Sequence, residues 1–177
     1  MLPDDHHDER ASEHIEAFIE GPPRIRRSRS KAARSDPRRP RRDVPLDTRS
    51  DWDRALRHED ARIHRYGRPA SVLIVEVQAG SDARVDRIAQ LVGSTVRHLA
   101  RETDRVTRVA PGRFHLLLPE TTEPEAVAMG DRIRRACAGT PAIAALDGAV
   151  VRTAVSGPVP GHGLAGALRI AEDRLAS

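Results

Sequence analysis

The sequence predicts an α/β (α+β) domain, a sheet flanked by helices, behind a disordered N-terminal tail. Three observations carry this reading. Runs with strand character at 71–77, 105–109, 114–118 and 149–156 are interleaved with stretches of helical apolar spacing at 52–65, 83–101, 124–137 and 164–175. The run 71–77, SVLIVEV, is almost continuously apolar and β-branched, the mark of a central strand buried on both faces. Before about residue 49 the chain carries blocks of like charge instead of apolar periodicity.

The tail, assigned to 1–48, has two parts. Residues 1–20 hold seven acids against the single base Arg10, and residues 24–42 hold ten bases against the single acid Asp36, interrupted by Pro37 and Pro40. Such blocks bury too little apolar surface to offset the entropy of ordering. Ile15, Phe18 and Ile19 form a short apolar stripe ahead of Gly21-Pro22-Pro23, suited to a docking helix. The Arg-rich arm, Arg24 to Arg42, suits weak contact with nucleic acid or another anionic surface, because cationic side chains near phosphates release counterions without reading sequence. The rest of the chain is close to neutral, so no basic face is implied for the domain. His6 and His7 among Asp4, Asp5 and Asp8 read as part of the acidic tail rather than as a metal site.

The domain, assigned to 49–177, is justified element by element. Trp52, Ala55, Leu56, Ile63 and Tyr66 recur at helical spacing, and Gly67-Arg68-Pro69 stops that helix. After the central strand, Val85, Ile88, Ala89, Val92, Val96 and Leu99 line one face of a second helix. Val106 to Val109 alternate, Ala110 to Arg113 supply a Pro-Gly turn, and Phe114 to Leu118 resume as a strand, which makes a hairpin. A third helix at 124–137, a strand at 149–156 and a terminal helix at 164–175 complete the domain.

Composition excludes several function classes. Only two Phe, one Trp and one Tyr occur, so the core rests on aliphatic residues and no aromatic platform for stacking bases is available. Cys137 is the single cysteine, which rules out an intrachain disulfide or a thiolate metal cage. No apolar run is long enough for a membrane span, and the acidic N-terminus lacks signal-peptide character, so a cytoplasmic location is expected. Ser156, His162 and Asp173 lack the context of a nucleophile elbow and are set aside as a triad.

The stretch 101–120, RETDRVTRVAPGRFHLLLPE, resembles the signature hairpin of the GGDEF domain of diguanylate cyclases, in the nucleotide cyclase superfamily, and the resemblance runs from about 51 to 175. The RYGRP run at 65–69 matches a closure common in that family. The resemblance implies a ferredoxin-like, cyclase-type sheet. In the family the hairpin tip carries two glycines, which admit a guanine nucleotide, then two acids, which hold magnesium, then Phe. Here the tip is Ala110, Pro111, Gly112, Arg113 and Phe114. Arg113 stands where the principal carboxylate belongs, and a fixed guanidinium repels a hard cation that wants oxygen ligands. Phe114 reads as a core residue. Glu76 occupies the family's metal-binding Asp position as a vestige, with Gln78 where a second acid is common. The base-reading segment with its Gly-His-Gly-Asp pattern is missing, and so is a phosphate-contacting Lys in the last helix.

The resemblance therefore implies a degenerate domain with no catalytic residue, no bound Mg2+ and no other cofactor. Arg101 and Asp104 match the RxxD pair that, in many diguanylate cyclases, binds the product cyclic di-GMP five residues before the glycines. A guanidinium can fork onto phosphate or the guanine O6/N7 edge, and a carboxylate can accept from guanine N1 and N2. Placed at i and i+3 near a helix end, the two can face the same way. The same spacing equally suits an intrahelical pair or a cap before the strand. Three functions are expected in order: an inactive signalling domain acting as a cyclic di-GMP receptor or protein-interaction module, with a protein partner or homodimer; a nucleic-acid-associated protein working through its arm; and residual diguanylate cyclase activity. One lysine among thirty basic residues points to a GC-rich bacterial source.

Overall fold

The β-branched run sits next to the edge of a five-stranded sheet, in contact with helices on both sides. The computed structural model describes residues 45–145 and 148–177. The expectations for the acidic segment, the Arg-rich arm and the stripe of Ile15, Phe18 and Ile19 lie outside the described residues. The element order is β1 (Leu46–Asp47), α1 (Arg49–Tyr66), β2 (Ala70–Gln78), α2 (Asp82–Leu99), β3 (Arg105–Ala110), β4 (Arg113–Pro119), α3 (Glu123–Ala138), α4 (Pro141–Ala144), β5 (Val150–Ser156) and α5 (Gly163–Ala176). The sheet order is β1-β3-β4-β2-β5, with β1 parallel to β3 and every other neighbouring pair antiparallel. Two interleaved strand-helix-strand units, β2-α2-β3 and β4-α3-β5, give this ferredoxin-like order.

The alternation of β2 and β4 divides the core. Leu73, Val75 and Val77 of β2 and Phe114, Leu116 and Leu118 of β4 pack against Ile88, Val92 and Val96 of α2 and Ile133 of α3. On the opposite face Val72 and Leu117 pack against Trp52 and Leu56 of α1 and Leu164 and Ala167 of α5. Ile74 and Ala154 meet Ala171 and Leu175 there. Burial on both faces is why β2 shows a continuous apolar run instead of alternation. Trp52 is fully buried, so its truncation to Ala would cost about 3–5 kcal/mol.

Helix ends are chemically specified. Thr48 caps α1 by accepting from the Asp51 N–H at 3.2 Å, and Gly67, at φ 65°, closes it by donating to the Ile63 carbonyl at 2.8 Å. At the start of α3 the Glu125 carboxylate accepts from the Thr122 N–H at 2.8 Å. The first N–H groups of α5 are met from outside the helix, where Leu164 N–H donates to Asp60 of α1 at 2.7 Å.

Three expectations are corrected, and one element lies outside them. The domain begins upstream of 49, because Leu46 and Asp47 pair with Val106 and Thr107 of β3. Two residues carry no readable period, so the strand was invisible in sequence. Tyr66 is 61% exposed rather than part of the apolar face of α1, and the Arg65 guanidinium lies 5.9 Å from its ring centroid. The second helix stops at Leu99, which leaves Arg101 outside it. The short α4 was not foreseen; four residues are too few to show helical spacing.

Candidate functional site

The hairpin joining β3 and β4 has a two-residue connection, Pro111-Gly112, after a bulge between Arg108 and Ala110. Arg108 folds back over this tip. Its Nε donates to the Pro111 carbonyl at 2.9 Å, Nη2 donates to Asp86 of α2 at 2.7 Å, and the guanidinium lies 6.0 Å from the Phe114 ring centroid. Gly112 is pressed onto β2: Val77 N–H donates to its carbonyl at 2.7 Å, and a Cβ at this position would lie 2.7 Å from the Val77 carbonyl oxygen and 2.8 Å from Val85 Cγ1. A side chain at 112 therefore requires the hairpin to move. Phe114 is a core residue, as the sequence implied, and its ring fills the space left by Gly93 of α2.

Register then decides the state of Glu76. Antiparallel pairing of β2 with β4 sets Glu76 directly opposite Arg113, and pairing with β5 sets Arg152 opposite it on the other side. Arg113 Nε donates to Glu76 Oε1 at 3.1 Å, and Nη2 donates to the same oxygen. Gln78 Nε2 donates to Glu76 Oε2 at 3.0 Å. Both carboxylate oxygens thus have protein donors. Among the described residues no group of three or more His, Cys, Asp or Glu side chains converges in metal-binding geometry.

Arg101 and Asp104 do not share a face. They bracket the turn between α2 and β3, where Asp104 N–H donates to the Arg101 carbonyl at 3.0 Å and Asp104 Oδ2 accepts from the Arg101 N–H at 2.7 Å. This is the cap reading of the motif. Asp104 is only 3% exposed, and its Oδ1 is buried without a hydrogen-bond partner among the described residues. Burial pushes its carboxyl up, opposed by the Arg101 N–H and by the charges of Arg101 and Arg132. Arg132, on α3, went unnoticed in the sequence, where it is one of several helical arginines. No local signal could single it out, because only packing brings α3 to the turn.

The Arg101 side chain is exposed and lines a cleft of about 490 Å³ between α1, the α2–β3 turn and the far end of β4. Glu59, Arg62 and Arg105 line it as well. Glu59 was also missed, since an acid on a helix reads as solvated unless its neighbours are known. Of the discounted triad, Ser156 spends its hydroxyl on the Gly157 carbonyl at 3.1 Å.

No family model and no curated protein matches the chain. Solved structures do. The active GGEEF domain of a diguanylate cyclase from Vibrio cholerae superposes with a TM-score of 0.64 at 17% identity, covering 73% of this chain and 88% of that one. The GGDEF domain of DgcB from Caulobacter crescentus in complex with c-di-GMP gives 0.61 at 14% identity, over 76% and 90%. Diguanylate cyclase SiaD from Pseudomonas aeruginosa, in complex with its activator SiaC, gives 0.60 at 21% identity, over 73% and 54%. The chain has the nucleotide-cyclase-like GGDEF fold.

Proposed function

We propose that this chain is a catalytically inactive domain of the GGDEF fold that works by binding, as a receptor for cyclic di-GMP at the face carrying the α2–β3 turn. The observation that carries the loss of catalysis is the Arg113–Glu76 pair. Mg2+ needs several oxygen ligands in near-octahedral array, and here the carboxylate at the strand end is engaged by a guanidinium while its neighbour is Gln78. These residues do not fit a magnesium site. Gly112 cannot carry an acid without displacing the tip.

Binding rests on Arg101, exposed at the turn that Asp104 braces. An exposed guanidinium can fork onto a phosphodiester. That a domain of this fold was solved with c-di-GMP, and another with an activator protein, supports binding as the working mode of the fold. Two measurements on purified protein test the reading. Incubation with GTP and Mg2+ should release no cyclic di-GMP above the protein-free control, and turnover would refute inactivity. Titration with cyclic di-GMP should show saturable binding that Arg101→Ala weakens by about 1.5–3 kcal/mol, roughly 10- to 150-fold. Unchanged affinity in that variant, or no binding near millimolar ligand, would leave a protein-interaction module in place of the receptor.

A further inference from the structure

We propose that the free edge of β5 takes up an extended acidic segment of a partner protein as an added strand, with a carboxylate of that segment paired to Arg152. The site lies at the opposite edge of the sheet from β1 and does not depend on the cyclic di-GMP reading. Hydrogen-bond parity shows which backbone groups are open. Val77 N–H donates to the Gly112 carbonyl, on the β4 side of β2, at 2.7 Å, and Val77 is the register partner of Val151. In an antiparallel sheet the N–H and C=O of one residue point the same way, so this pair exchanges no hydrogen bonds and Val151 turns both groups away from β2. Alternation gives Thr153 and Val155 the same orientation, because the register runs unbroken from Val150 to Ser156. Among the described residues no strand lies beyond β5. The far end of the edge is closed: Arg174 donates to the Val155 carbonyl and, at 2.7 Å, to Glu123, which accepts the Gly157 N–H at 3.0 Å. Val151 and Thr153 are left open, with Val150 50% exposed beside them. Such unpaired groups are a template for another strand.

Arg152 sets the chemistry of the occupant. It stands opposite Glu76 of β2, but both Glu76 oxygens already accept, from Arg113 and from Gln78. The half-buried Arg152 guanidinium has no hydrogen-bond or ion-pair partner among the described residues. A strand added to β5 places one side chain directly across from Arg152, about 5 Å away between Cβ atoms, on the side remote from Glu76. An acid there meets the free cation. In an antiparallel strand the residue two positions later falls opposite Val150, where an apolar side chain covers the exposed valine. The partner segment therefore reads acid-x-apolar. A second copy of this chain fits less well. Symmetric antiparallel pairing centred on Val150, Val151 or Thr153 sets Arg152 against Gly148, Val150 or Ala154, and centring on Arg152 sets two guanidinium groups against each other. The Thr153 register also needs the Val155 carbonyl that Arg174 holds. None of these supplies a carboxylate.

The test is an NMR titration of the isotope-labelled full chain with the synthetic peptide acetyl-STTETVS-amide, whose glutamate is followed two residues later by valine. Saturable shifts are expected at the Val151 and Thr153 amides, with hydrogen exchange slowed at both. Replacing the glutamate of the peptide by glutamine should weaken binding about two- to fivefold, the scale of a cross-strand ion pair, and Arg152→Gln should remove that difference. Val151→Pro takes away an outward-facing donor and sets a ring on the edge, so it should block binding. N-methylation of the two threonines that flank the glutamate makes the same test on unaltered protein and should also block it. Arg101→Ala should leave peptide binding unchanged, which separates this site from the α2–β3 turn. No saturable shift up to about millimolar peptide, equal binding of the N-methylated peptide, or equal affinity for the glutamate and glutamine peptides would overturn the proposal. So would a concentration-dependent dimer that protects the same two amides without peptide, since that puts a second copy on the edge.

Discussion

Acid should weaken this fold through one histidine. His115 on β4 is 2% exposed, packed between α1 and α5, with both ring nitrogens lacking hydrogen-bond partners among the described residues. Its ring lies 5.5 Å from that of Trp52, and Nε2 is 3.9 Å from Glu172 of α5. Burial lowers its pKa from the ordinary 6.5 to about 4, helped by the positive charges of Arg49 and Arg113 and opposed by Asp53. Between those values the unfolded chain binds a proton that the folded one refuses, so stability rises with pH across the window and is lost as pH falls. The linkage relation gives a loss of about 2 kcal/mol from pH 7 to pH 5 and a limit of about 3 kcal/mol below pH 4. At roughly 4 °C per kcal/mol for a domain of this size, that is about 8 °C in Tm between pH 7 and pH 5. His115→Leu conserves volume and removes both unpartnered nitrogens, so it should be neutral or stabilising at pH 7 and progressively more stabilising toward pH 5. Other groups act differently. Glu123, held low by Arg174 and the Gly157 N–H, contributes stability that disappears only as pH falls below the usual carboxylate range. Asp104, pushed up by burial, is relieved by protonation and acts in the opposite sense. Thermal melts of both proteins from pH 7.5 to 4.5 separate these terms, since only the His115 contribution differs between them. Parallel Tm curves for wild type and variant would refute the reasoning.

Perturbations at the hairpin tip, at the α2–β3 turn and at the N-terminal end of the domain have defined outcomes. Arg113→Glu sets two carboxylates directly opposite on β2 and β4, so it should destabilise by about 0.5–1 kcal/mol and restore no turnover in the GTP assay; Gly112→Asp, forced against Val77 and Val85, should cost about 1–3 kcal/mol. Asp104→Ala removes the acceptor for the Arg101 N–H and should lower stability by about 1–2 kcal/mol in denaturant unfolding, whereas Arg101→Ala should leave the fold within about 0.5 kcal/mol. Deleting residues 1–44 should leave a cooperatively melting domain, while deleting 1–49 also removes β1, the Thr48 cap and the Asp47 partner of Arg105, at a further cost of about 1–2 kcal/mol. If the Arg-rich arm contacts nucleic acid, the full chain should bind duplex with a steep loss on adding salt, and the 1–44 deletion should not bind.

The sequence by itself determined every element long enough to show a period. Ile88, Ala89, Val92 and Val96 repeat at helical spacing and are buried on α2, and the run through Val72 and Ile74 is apolar throughout because both faces of β2 are covered. Such patterns are local, imposed by the repeat of the backbone itself. The hairpin with its altered tip was legible for the same reason. What only the tertiary structure decided are questions of partnership. Whether Glu76 is free depends on the register that sets Arg113 against it. Asp104 could have faced a ligand or its own turn with the same four-residue motif, and the side chain turns inward to the Arg101 N–H. Glu59 and Arg132 lie on helices among other charged residues, and their places beside the cleft and the turn come from the way α1 and α3 pack. A charged side chain takes its role from what stands a few ångströms away, and those neighbours are distant in sequence; Glu76 and Arg113 are 37 residues apart.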